Sequence, residues 1–305
     1  MSGMKRQSAV IGGGIMGGDI ALIFTAARWS VHMAEPSEKV RMTLPDRFKT
    51  AWTKMKGQEK GTVSIHSSLE EMPWEQIEIA VECVPERLDL KREVFARMEK
   101  LSPPEIPLTS NSSGFPISAI AKGLRTQSRM LGLHFFMPAH LAPLVEVICS
   151  EATDPHLARE VYDLMKHLGK KPVLVKKDIP GFLANRIQHA LMREALSLVE
   201  KGIATPEDVD DAVRYGFGFR YIAAGPLRQK DLTGLDTQYF AGVAIYPDLC
   251  NDPSPSPYLR DKVAAGNLGI KTQKGFYDWT DEKIGKFKAE YEKALIKALG
   301  IMPEN

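Results

Sequence analysis

The chain is poor in cysteine, in net charge and in long apolar runs, and each shortage excludes something. Cysteine occurs three times in 305 residues, at Cys83, Cys149 and Cys250. An odd, widely spaced set without a C-x-x-C pair does not build a disulfide framework, and it reads as reduced thiols in a reducing compartment. The formal net charge is +2 at pH 7, which offers no basic face for nucleic acid. Nowhere does an apolar run approach the roughly 20 residues of a bilayer span. Lys5 and Arg6 precede an apolar stretch in the manner of a leader, but glycines at 12, 13, 14, 17 and 18 break it. A leader needs an unbroken apolar centre. Internal repeats and low-complexity tracts are missing too, and no metal set stands out. The expectation is a cytoplasmic globular protein with 44% apolar and 26% charged residues, long enough for two domains.

What is present is an alternation. Short apolar runs at Ser8–Ile11, Ser30–Ala34, Val63–Ile65, Ile77–Val84, Pro107–Ser110, Met130–Phe136, Leu144–Cys149 and Pro172–Val175 read as strands. Helical patterns lie between several of them. One opens at Pro85 and carries Leu88, Val94, Phe95 and Met98 on a face; another has Asp154 as cap before Pro155. Such alternation predicts an α/β, doubly wound, largely parallel sheet. After Asp178-Ile179-Pro180-Gly181 the pattern turns helical. Leu183, Ile187, Leu191 and Leu198 recur at helical spacing up to Gly202, and Thr205-Pro206-Glu207-Asp208 starts a second helix. Four prolines in residues 247–257 mark a connection. Two domains follow: an α/β domain at 1–178 and an all-α domain at 179–305.

The first strand runs into IGGGIMGG, where Gly12, Gly14 and Gly17 fit G-x-G-x-x-G and enclose Ile15 and Met16. The first glycine permits a tight turn, the second lets backbone approach a pyrophosphate, and the third packs helix on strand. Free N–H groups at the helix start then face the phosphates. Glu35 follows 18 residues after Gly17, at the end of the second strand. A carboxylate there accepts the ribose 2′-hydroxyl and repels a 2′-phosphate, so the cofactor expected is NAD.

Hydride transfer from an alcohol needs a base, a group to hold it, and donors for the developing carbonyl. Asn111-Ser112-Ser113, His134, Glu146 and Asn185 stand at strand ends or at the domain junction. A lone histidine beside two phenylalanines also reads as a core residue; Glu146, set in an otherwise apolar strand, is the acid that would pair with it. The segments NSSGFPIS, GLHFFMP, LVEVI, PGFLANRI and GIKTQKGFYDW, in this order, resemble the signatures of the 3-hydroxyacyl-CoA dehydrogenase family over nearly the whole chain. The resemblance implies that His134 is the general base, that Glu146 orients it, and that Ser113 and Asn185 bind the reacting oxygen. It places Asn111 near the nicotinamide ribose and Glu82 by the cofactor cleft. It also implies a cleft between the domains and a homodimer formed through the helical domain.

Some segments depart from that pattern. Met137 stands where the family has asparagine after the two phenylalanines. The stretch between Glu35 and Ile77 is shorter than in members that bind coenzyme A, although residues 37–60 hold seven Lys/Arg against three Asp/Glu. VECVPERLDLKREVF and GFGFRYIAAGPL resemble the branch acting on free hydroxy acids, such as gulonate dehydrogenase/lambda-crystallin and carnitine dehydrogenase. Arg186, Arg220, Arg228 and Lys230 are candidates to hold a substrate carboxylate, and Met137 to line its pocket. The expected reaction is NAD-dependent oxidation of the 3-hydroxyl of an L-3-hydroxyacyl compound, as the thioester or the free acid. Another small alcohol, aromatic, carnitine-like or sugar-derived, or a non-catalytic NAD-binding role are the alternatives.

Overall fold

A computed structural model describes residues 6–54 and 60–302. Lys5 and residues 55–59 of the basic stretch lie outside the described residues. The chain forms two compact units that divide after Arg186.

The first unit is built on one eight-stranded sheet. Its strands are β1 (Gln7–Ile11), β2 (Ser30–Ala34), β3 (Thr62–His66), β4 (Ile79–Glu82), β5 (Leu108–Ser110), β6 (Met130–Phe135), β7 (Leu144–Ile148) and β8 (Lys171–Val175). The spatial order is β3-β2-β1-β4-β5-β6-β7-β8, with β1 inside and the strands wound outward from it as in dinucleotide-binding sheets. All neighbours are parallel except β6 and β7. The helices are α1 (Ile15–Ala26), α2 (Glu38–Lys54), α3 (Leu88–Leu101), α4 (Ile117–Ile120) and α5 (Pro155–His167).

Both faces of the sheet are covered, which is why its strands are apolar almost throughout. Val10, Val31, Met33, Val81, Leu133 and Val147 pack in one cluster with Phe24 of α1 and Val161 of α5. Their neighbours in sequence point the other way. Ala9, Ile11, Ala80, Leu108 and Met130 pack with Phe95 and Met98 of α3 and Ile120 of α4. Asp154 caps α5 by accepting from the His156 N–H at 2.8 Å. α3 begins at Leu88 rather than at Pro85, because Glu86 leaves the helix to hold the Ser112 loop.

α6 (Ala184–Glu200) starts in the first unit and runs into the second, ending before Gly202 at φ +67°. The second unit continues with α7 (Pro206–Asp211), α8 (Gly218–Arg220), α9 (Pro226–Thr233), α10 (Leu235–Ile245), α11 (Pro257–Ala264) and α12 (Asp281–Ile301). Thr205 and Asp208 form a reciprocal capping box at the start of α7. This unit exposes much of its apolar surface, including Leu227, Leu232, Tyr239 and Phe240. No helix among the described residues is long and apolar enough to cross a membrane.

Candidate functional site

The glycine turn leaves β1 with Gly12 at φ +106°, a conformation open to glycine and strained for other residues. A Cβ on Gly12 would sit 2.8 Å from the Cys83 carbonyl oxygen, and one on Gly17 would sit 1.9 Å from that of Gly12. Around Gly14, by contrast, a Cβ would meet nothing within 4 Å. The turn is thus closed toward the sheet and open at the position where a pyrophosphate is expected, with α1 beginning just beyond it. Ile15 is exposed beside this opening, while Met16 packs inward on the core. Glu35 directly follows β2, with one carboxylate oxygen accepting from the Gly13 N–H at 2.7 Å and the other from the Ser37 N–H at 2.8 Å. The carboxylate is therefore fixed beside the turn and keeps further lone pairs for a ribose. These residues fit a dinucleotide without a 2′-phosphate.

The antiparallel pair β6/β7 sets the second half of the site. His134 lies directly opposite Glu146 in the ladder, the arrangement that brings two side chains together on one face of a sheet. His134 Nδ1 and Glu146 Oε2 are 2.8 Å apart, and both side chains are buried. The other oxygen of Glu146 accepts from the Leu183 and Ala184 N–H groups, at 3.1 Å and 2.8 Å. Those donors belong to the start of α6, where a carboxylate also meets the positive end of the helix dipole. No side chain among the described residues is hydrogen-bonded to His134 Nε2. With Nδ1 committed to an acid, Nε2 is the nitrogen left to exchange a proton.

Other predicted residues are tied to one another and to β6. Asn185 Nδ2 donates to the Ser113 carbonyl oxygen at 3.3 Å. Asn111 Oδ1 accepts from the Phe135 N–H at 2.8 Å, next to His134. The Asn111–Ser113 loop is braced by Glu86, which accepts from Ser112 Oγ at 2.6 Å and from the Gly114 N–H at 3.0 Å. Burial pushes the Glu86 carboxyl up, but Ser112 and the Lys91 ammonium outweigh it, and the net shift is downward.

The Glu82 carboxylate is fully buried. It accepts from Lys91 Nζ at 2.9 Å and 3.1 Å, from Ser110 Oγ at 2.6 Å and from the Val84 N–H at 2.6 Å. Burial raises the Glu82 carboxyl above the ordinary carboxylate range, against the pull of Lys91 and Ser110. A buried acid needs a buried partner, and Lys91 on α3 supplies it.

Of the proposed substrate contacts, Met137 is exposed on the loop after β6. Arg186 donates to the Pro180 carbonyl oxygen at 3.2 Å from the start of α6. Arg228 and Lys230 are exposed on α9 of the second unit, and Arg220 is exposed on α8. His140 lies in the same loop as Met137, 3.2 Å from Asp19 of α1.

Sequence reasoning missed three groups that hold the site. Arg47 of α2 reaches across α1 to donate to the carbonyl oxygens of Gly14 and Ile15 and to Asp19, at 2.9, 2.6 and 2.9 Å. Gly18 makes room for it, since a Cβ there would meet the guanidinium at 2.5 Å. Lys170 donates to the carbonyl oxygens of Ala139 and Ala142, at 2.5 Å and 2.9 Å, and burial pushes its ammonium down to about 8. Phe182 is buried against His134. The signal for Arg47 was Gly18, an extra glycine that the dinucleotide motif does not require.

Comparison with known proteins agrees with this geometry. Residues 7–179 match the family described as 3-hydroxyacyl-CoA dehydrogenase, NAD binding domain, and residues 181–279 match its C-terminal domain. The chain is similar to 5-formyl-3-hydroxy-2-methylpyridine 4-carboxylate 5-dehydrogenase of Mesorhizobium japonicum, 34% identical over 74% of this chain and 73% of that protein. It is similar to the crystal structure of a 5-formyl-3-hydroxy-2-methylpyridine 4-carboxylic acid 5-dehydrogenase, an NAD+-dependent dismutase, with TM-score 0.92 and 30% identity, covering 98% of this chain and 99% of that one. The structure of (S)-3-hydroxybutyryl-CoA dehydrogenase from Ralstonia eutropha gives TM-score 0.72 and 28% identity, covering 91% and 100%. The chain belongs to the 3-hydroxyacyl-CoA dehydrogenase family of NAD-dependent oxidoreductases, whose chemistry is oxidation of a 3-hydroxyl to a keto group.

Proposed function

We propose that this chain oxidises a CH–OH carbon of a small free carboxylate, with His134 as base and Glu146 as the acid that orients it. The buried pair at 2.8 Å is the observation that carries the reading. NAD supplies the hydride acceptor when bound. His134 Nε2 takes the hydroxyl proton, and Glu146 stabilises the imidazolium that forms. The Ser113 hydroxyl and the second amide hydrogen of Asn185 donate to the oxygen that becomes the carbonyl. Gly12, Gly14, Ile15, Met16 and Gly17 with α1 hold the pyrophosphate, Glu35 the ribose, and Asn111 the nicotinamide end. The first unit, to Arg186, takes the cofactor-binding role, and the second takes the helical substrate and dimerisation roles.

Two features support a free acid over a thioester. α2 is the only helix among the described residues between β2 and β3, which gives little chain for a coenzyme A contact. The likeness to the pyridine carboxylate enzyme, at TM-score 0.92, exceeds that to the acyl-CoA enzyme, at 0.72. An aromatic hydroxy or formyl carboxylate is therefore the first substrate class to test, since a hydrated aldehyde presents the same CH–OH. Arg186, Arg228 and Lys230 are proposed to hold its carboxylate, with Met137 as an apolar wall. The second reading, a short 3-hydroxyacyl-CoA, is favoured by the basic residues of α2.

NADH absorbance over a panel of pyridine and benzene carboxylates, carnitine, gulonate, free 3-hydroxybutyrate and 3-hydroxybutyryl-CoA tests this. Strong preference for the thioester overturns the free-acid reading; no turnover with any member overturns the enzyme. The exposed apolar face of the second unit fits a second copy of the chain, and the free thiols of Cys83, Cys149 and Cys250 fit the cytoplasm.

A further inference from the structure

Phe182 is one of three residues other than glycine with positive φ among the described residues, at +51°. It follows Gly181 at φ +74°, and its N–H donates to the Ile179 carbonyl oxygen at 3.0 Å. Large side chains avoid this conformation, and where one persists the surroundings must enforce it; such positions gather at functional sites. Glycine or asparagine would suit the backbone better. A phenylalanine here therefore calls for a reason in its ring.

The ring is 3% exposed and lies 5.7 Å from the His134 imidazole, centroid to centroid. Phe136 stands 4.5 Å from the same imidazole. The backbone turn has a second product. Reversing direction at 181 and 182 delivers the next two N–H groups, of Leu183 and Ala184, to Glu146 Oε1. One residue thus touches both members of the pair, the base through its ring and the acid through the chain it turns.

We propose that Phe182 is a positioning residue for proton transfer: its left-handed backbone aims the α6 donors at Glu146 while its ring fixes the plane of His134 and keeps water from it. This rests on the His134–Glu146 reading and deepens it. A base displaced by even an ångström loses about a hundredfold in rate, so the expected loss is in kcat rather than in substrate or NAD+ affinity.

The test uses the full chain with its best substrate. Phe182→Gly keeps the backbone accessible and removes the ring. It is expected to lower kcat about tenfold or more, with NADH binding unchanged, and Phe182→Leu is expected to recover part of the loss. In a Glu146→Gln background, where the acid no longer carries the charge that the α6 donors hold, Phe182→Gly is expected to change kcat less than it does alone. Wild-type kcat in Phe182→Gly, or the same fold-loss in both backgrounds, overturns the proposal. If Phe182→Gly does not fold, Phe182→Asn, which also tolerates the turn, is read by the same criteria. His134→Gln separates the parent reading: if it keeps wild-type kcat, the base itself is misassigned, whatever Phe182 does.

Discussion

The two units of this chain treat apolar residues in opposite ways. In the first, strands and helices bury both faces of the sheet, and even charged side chains, among them Asp19, Glu35, Glu82, Lys91, Arg129, Glu146 and Lys170, are enclosed with partners. In the second, Leu227, Leu232, Tyr239 and Phe240 lie on the surface, and Leu196 is the one large apolar side chain buried among its described residues. Exposed apolar area on that scale marks an interaction surface. The first unit finishes its own core, whereas the second leaves apolar side chains at its surface.

The comparison can be broken at several points. The largest effect is expected from His134→Gln, which should lower kcat about a thousandfold while thermal denaturation and NADH binding stay as in the wild type. A loss of folding instead would mean that the histidine is core, not chemistry. Next, Lys91→Met leaves the enclosed Glu82 carboxylate without its ammonium and should destabilise the first unit by about 3 kcal/mol, measured by urea unfolding; an unchanged midpoint would show that the core tolerates an unpaired acid. In the second unit, Leu232→Glu with Phe240→Glu should weaken self-association by about 2 kcal/mol, seen as a monomer in sedimentation velocity. An unchanged oligomer would move the interface elsewhere. Thr205→Ala removes the α7 cap and should destabilise by about 1 kcal/mol, read from the second unit's melting.

A further change is a pH dependence. Lys170 loses its proton near about 8 in the folded protein, against an ordinary 10.5. Between those values the unfolded chain binds the additional proton, so folding stability rises with pH across that window. Lys170→Met should lack this increment, which urea midpoints at both ends of the window would reveal.

Much of the first unit was legible beforehand because its elements are local. Every one of the eight apolar runs expected as strands coincides with a strand, and the acid in an apolar strand, Glu146, meets His134 at 2.8 Å. What escaped is non-local. The pairing of Glu82 with Lys91, nine residues on and on the following helix, was not legible. Glu86 reads as the first turn of α3, yet it braces a loop that follows a different strand. Phe182 carries no unusual letter; only its φ reveals it. In the second unit, helical spacing identified α6 and the α7 start but could not say which apolar faces would stay uncovered.

The reversed strand β7 separates heritable risk into two compartments. Because His134 and Glu146 are opposed by ladder register, their meeting depends on backbone hydrogen bonds and not on the connection that joins them. A one-residue slip would turn either side chain to the opposite face, so the strands tolerate little. Of residues 136–143, outside the ladder, Phe136 packs on His134 and Ala139 is buried, whereas Met137 is exposed. Substitution at that exposed position can alter the connection without disturbing the register that brings His134 and Glu146 together.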